Sequence, residues 1–108
     1  MRGKFLHNKV IIAALVFALS TLGYEVQVEH PTRAGQRPPC VDLFFISRGT
    51  RIVLEAECSP VRIGNDLAKA RGLAADILLI VVPHARLQAR VRAALKHLAA
   101  RKIGRAHV

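Results

Sequence analysis

Residues 41–58, VDLFFISRGTRIVLEAEC, decide the fold. VDLFFI (41–46) is rich in β-formers, Ser47-Arg48-Gly49-Thr50 is turn chemistry, and RIVLEAEC (51–58) is again strand-forming, so the segment predicts a β-hairpin. Downstream, Ser59-Pro60 stops the second strand of that hairpin. Residues 61–73 (VRIGNDLAKARGL) then place Ile63, Leu67 and Ala70 on one side at helical spacing and Arg62, Asn65, Asp66 and Lys69 on the other, an amphipathic helix with a polar stripe. Residues 76–82 (DILLIVV) form a continuous apolar run, the pattern of a parallel or central strand covered on both faces. Pro83 ends it, and Leu87, Val91, Leu95 and Leu98 set out a last helix over 84–103, with His84 at its N-terminus.

Upstream of the hairpin, residues 24–28 alternate apolar and polar side chains, with Glu25 and Glu29 on the wet face of an expected first strand. Residues 30–39 hold three prolines and Gly35 and read as a loop made basic by Arg33 and Arg37. Before them, an apolar run over 10–19 follows a basic start, as in the leading regions of a secretory signal peptide. That run is shorter than the roughly 20 apolar residues needed to span a bilayer, and no small-x-small cleavage site follows it. It therefore reads as a buried first helix, capped by Asn8 and stopped at Gly23, with a targeting or anchoring segment as the alternative. The expected order is α-β-β-β-α-β-α in a single α/β domain over 1–108: a small mixed sheet flanked by helices.

Composition narrows the function. The 108 residues carry 17 Lys+Arg against 7 Asp+Glu, a formal charge of +10, yet 52% are hydrophobic. Disordered basic tails are excluded, because they lack the apolar content to offset their ordering entropy. A folded domain with this excess points to a polyanion, most often nucleic acid, and no stable membrane association is expected. With no Trp and only Tyr24 and four Phe as aromatics, a base-stacking platform is poorly supplied, so a duplex backbone fits better than a single strand. Cys40 and Cys58 are too few for a disulfide scaffold, read as small apolar fillers, and fit a reduced cytoplasmic setting.

Against this basic background three of the seven acids converge. Glu55 and Glu57 stand two apart on one strand and share a face, and in a hairpin the start of one strand, at Asp42, lies beside the end of its partner. Clustered carboxylates repel unless a cation neutralises them, and hard oxygen donors in low number suit Mg²⁺ or Mn²⁺. Such a centre inside a basic surface fits metal-assisted phosphodiester hydrolysis.

The succession of Gly23-Tyr24-Glu25-Val26 after a first helix, Pro39-x-x-Asp42, Glu55-Ala56-Glu57, a polar-faced helix and the DILLIVV strand resembles the core of the PD-(D/E)XK nuclease superfamily, the restriction-endonuclease-like enzymes that include Holliday junction resolvases. The likeness runs from about residue 8 to residue 98. It implies an α-β-β-β-α-β core, a DNA endonuclease or resolvase activity, metal ligation by Asp42 and Glu55, and a homodimer. The family carries Lys two residues after the Glu, where this chain has Glu57. Some restriction enzymes use Glu in that slot, and in other branches the lysine has moved to the following helix, where Lys69 is the candidate. The expected catalytic set is therefore Asp42, Glu55, Glu57 and Lys69, with phosphate contacts from Arg33, Arg37, Arg48, Arg62 and part of the acid-free last helix. The alternative is a non-catalytic nucleic-acid-binding module of the same fold with a degenerate site.

Overall fold

The structure, a computed structural model, describes residues 2–98 and 105–107. The hairpin is present as β2 (Cys40–Ser47) and β3 (Thr50–Ala56), antiparallel, with Phe44 opposite Val53 and Ser47 opposite Thr50. Arg48 and Gly49 take φ of 51° and 81°, the double positive φ of a two-residue hairpin turn whose twist matches that of its strands. Ahead of them come α1 (Arg2–Thr21) and β1 (Gln27–Pro31), which pairs antiparallel with β2. The first strand thus lies three residues later than the alternation at 24–28 suggests. Pairing with β2 sets the register, Gln27 opposite Phe44 through Pro31 opposite Cys40, and Pro31 is tolerated because β1 is an edge strand.

After β3, Ser59 Oγ accepts from the Val61 amide at the start of a 3₁₀ turn, Pro60–Arg62, which leads into α2 (Ile63–Gly72). The chain then crosses to β4 (Ile77–Val81), parallel to β3, and continues into α3 (Ala85–Leu98). A short β5 (Arg105–His107), which the sequence pattern does not announce, pairs parallel with β4 and completes a mixed five-stranded sheet in the order β1-β2-β3-β4-β5. The far end of the expected last helix, residues 99–103, lies outside the described residues. A small α/β domain with a mixed sheet and flanking helices is what the pattern leads one to expect.

The core lies between the sheet and α2 with α3. Val53, Leu78 and Ile80 point from the strands toward Ile63, Leu67 and Ala70 of α2 and Leu87 and Val91 of α3, and all of them are buried. The other face is covered differently. Leu43, Phe45, Leu54 and Ala56 are buried there, and α1 makes its contacts with β3.

Two expectations fail on that side. None of residues 9–21 of α1 is buried, and Val10, Phe17 and the following Leu22 are largely exposed, Phe17 by 75%. The helix is apolar around most of its circumference, so when one side meets the sheet the other is left facing solvent. β4 is closed on one face only: Leu78 and Ile80 are buried, whereas Ile77, Leu79 and Val81 are half-buried. Cys40 is likewise exposed rather than a core filler, being the first residue of β2.

Candidate active site

The β2–β3 ladder runs from Ser47–Thr50 to Leu43–Leu54 and then opens. Beyond that rung, side chains stand in for backbone partners. The Asp42 amide donates to Glu55 Oε1 at 2.6 Å, and the Ala56 amide donates to Asp42 Oδ2 at 2.8 Å. Each acid thus satisfies a backbone amide on the opposite strand, near the residue pair 42/55 that would form the next rung. On its other edge β3 keeps bonding to β4, with the Glu57 amide donating to the Val81 carbonyl at 2.9 Å. The splay places Asp42 beside Glu55, the approach expected of a hairpin whose strands start and end there.

Glu55 and Glu57, two apart, face the same way as Val53, toward α2. They are 2% and 6% exposed, and α2 adds Asp66 at 1%. One carboxylate oxygen from each of the three lies within 4.8 Å of the others. Lys69, one turn further along α2, has its Nζ at 3.0 Å from Glu55 Oε2, at 3.9 Å from Asp66 Oδ1 and donating to the Cys40 carbonyl at 3.0 Å. Its side chain is 24% exposed and Asp42 is half-buried, so these two form the outer edge of the cluster and Glu57 and Asp66 its floor.

Electrostatics follow from that layering. Burial raises the Asp42 pKa to about 6, helped by the Glu55 charge and opposed by the Ala56 amide bond and the Lys69 charge. Asp66 is driven far above the usual carboxylate range, first by burial and then by the adjoining Glu57 and Glu55 carboxyls. For Lys69, burial works against the ammonium, but the Glu55 charge and hydrogen bond, with the Asp66 and Asp42 charges, override it and raise its pKa.

The sequence-derived residues fall into place unevenly. Asp42, Glu55, Glu57 and Lys69 converge. Arg33 and Arg37 are exposed on the loop that runs directly into Cys40 and Asp42, and Arg62 is exposed where α2 begins. Arg48 sits in the hairpin turn, at the far end of the strands from Asp42, roughly 20 Å away at about 3.3 Å per strand residue. Asp66, assigned by helical spacing to the polar stripe, instead faces the sheet. The signal was available: Ile63, Asp66, Leu67 and Ala70 stand at i, i+3, i+4 and i+7, and all four are buried. Asp42 also borders an open, mainly apolar groove of about 730 Å³ under α1, lined by Ile12, Val16, Phe17 and Val28 with Lys9 and Glu29. Among the described residues no helix is long and apolar enough to cross a membrane. Set against known protein families, curated proteins and solved structures, the chain matches none of them.

Proposed function

We propose that this domain is a metal-dependent DNA endonuclease or resolvase of the PD-(D/E)XK type, acting in the cytoplasm as a homodimer. The observation that carries the reading is the contact of Lys69 Nζ with Glu55 Oε2 at 3.0 Å: a lysine from the following helix occupies the neighbourhood of the acid that the family pairs with one. The donor set suits the ion this chemistry needs, since Asp42 and Glu55 stand side by side and offer carboxylate oxygens. Asp42 and Glu55 would hold Mg²⁺ or Mn²⁺. Such an ion, when bound, polarises a phosphoryl oxygen and makes a hydroxide available near neutral pH.

The chain's own groups do the rest. The Asp42 amide and Lys69 fix one oxygen of Glu55 each, which orients that carboxylate before any substrate arrives. The Lys69 ammonium, at the open edge beside Glu55, would stabilise the negative charge that grows on the scissile phosphate. Glu57 adds a further acid to the floor of the site. Arg33 and Arg37 on the adjoining loop and Arg62 at the start of α2 offer phosphate contacts on the surface around it, and the exposed Arg86, Arg90, Arg92 and Lys96 of α3 add to the basic surface. Arg48 would meet the backbone only further along a duplex.

The test is cleavage of plasmid and branched DNA with Mg²⁺ or Mn²⁺. Wild type is expected to cut, Asp42→Asn and Glu55→Gln to lose cutting, and Lys69→Met to slow it by roughly a hundredfold, the scale of removing one group that stabilises transition-state charge. A folded wild type that cuts no DNA form with either ion overturns the enzyme; salt-sensitive DNA binding indifferent to Mg²⁺ would then select the non-catalytic module.

A further inference from the structure

Glu55, Glu57 and Asp66 pose an electrostatic problem that Lys69 does not solve. Three almost fully buried carboxyl groups have oxygens within 4.8 Å of one another, and the Lys69 ammonium lies at 3.0 Å from Glu55 but 3.9 Å from Asp66. Among the described residues no hydrogen-bond donor reaches Asp66 Oδ2, and its close polar neighbours are the other two acids. Something positive must stand between them, a proton or a cation. A proton joins one pair of oxygens and leaves the third carboxylate charged against them. A divalent ion accepts an oxygen from each at once and cancels two charges.

We propose that Glu55, Glu57 and Asp66 form a binding site for a hard divalent cation, Mg²⁺, Mn²⁺ or Ca²⁺, in addition to the one on the Asp42 side of Glu55. The two sides of Glu55 differ in burial. Asp42 borders the groove beneath α1, whereas Glu57 and Asp66 are buried between β3 and α2, and Glu55 presents Oε1 to the Asp42 amide and Oε2 to Lys69. All the donors are carboxylates, which favours these ions over metals that seek nitrogen or sulfur. Glu55 comes from β3, Glu57 from just after the end of that strand and Asp66 from α2, so the ion would clamp the helix that supplies Lys69 onto the strand that supplies Glu55. Binding would therefore stabilise the folded state. The site shares Glu55 with the nuclease reading but does not depend on any DNA being cut.

The experiment is titration of the full chain with Mn²⁺ and Ca²⁺, followed by calorimetry and by thermal unfolding, on wild type, Asp66→Asn, Glu57→Gln and Asp42→Asn. The ions are expected to raise the wild-type midpoint. Asp66→Asn and Glu57→Gln should each weaken the stabilising ion at least about tenfold, the loss that even an outer partner of a metal ligand causes, while Asp42→Asn keeps it. The proposal falls if either folded variant binds as tightly as wild type, if the stabilisation is lost in Asp42→Asn instead, or if wild type responds to neither ion, which would leave the proton as the occupant. Asp66-dependent binding without DNA cleavage keeps this site and removes the nuclease; cleavage with Asp66-independent binding does the reverse.

Discussion

Asp42 combines two tasks that pull its ionisation in opposite directions. It accepts from the Ala56 amide, which favours the carboxylate, and it is half-buried beside Glu55, which disfavours it more. With a native pKa of about 6 against an ordinary 3.8, the folded state keeps a proton that the unfolded chain releases between those values. Raising the pH through that window therefore favours unfolding. In metal-free buffer the thermal midpoint of wild type should lose ground between pH 4 and 6 relative to Asp42→Asn, and parallel pH profiles for the two proteins would contradict the assignment. The asparagine is the right comparison, because its side-chain oxygen can still receive the Ala56 amide, whereas alanine removes that acceptor altogether. Asp42 and Glu55 were legible as neighbours from hairpin geometry alone. Asp66 was legible by position, three residues after Ile63 on the face shared with Leu67 and Ala70, but its chemistry assigned it to the wet side, and the packing of α2 on β3 holds it inside.

At the scale of elements, the boundaries were less legible than the kinds. The periodicities of β2, β3, α2 and β4 are local, and each element appears where its own residues ask for it. β1 is positioned by its partner, since an edge strand takes its register from the one strand it bonds, and β5 is three residues whose strand character exists only against β4. The start of α3 is a local feature that can be read and tested. His84 Nδ1 accepts from the Leu87 amide at 3.2 Å, the third helical position, as an N-cap side chain does. His84→Ala should cost about 1 kcal/mol in chemical denaturation, with the slope of the transition unchanged, and an unaltered midpoint would show that this cap contributes nothing.

For the molecule as a whole, the two faces of the sheet differ in kind. Toward α2 and α3 lies a closed apolar core, with the acids at its edge; toward α1 lies a row of buried strand residues under a helix that buries none of its own described positions. Composition could not distinguish these faces, because an apolar count of 52% is the same whether the residues meet each other or meet water. Native-state hydrogen exchange separates them. Amides of α1 should exchange through local opening, orders of magnitude faster than those of β3 and β4, which should exchange only with global unfolding; uniform protection across all three would refute the difference.

The loose seating of α1 also bears on how the chain folds and how it ages. The hairpin, α2, β4 and α3 hold the closed core without α1, so the first helix is free to dock last and to leave first. Undocking would uncover Leu43, Phe45 and Leu54 of the sheet, in addition to the already exposed Val10 and Phe17 of the helix, while Glu55, Glu57 and Asp66 on the other side stay assembled. Protein in storage would then be expected to self-associate through this face long before its core melts.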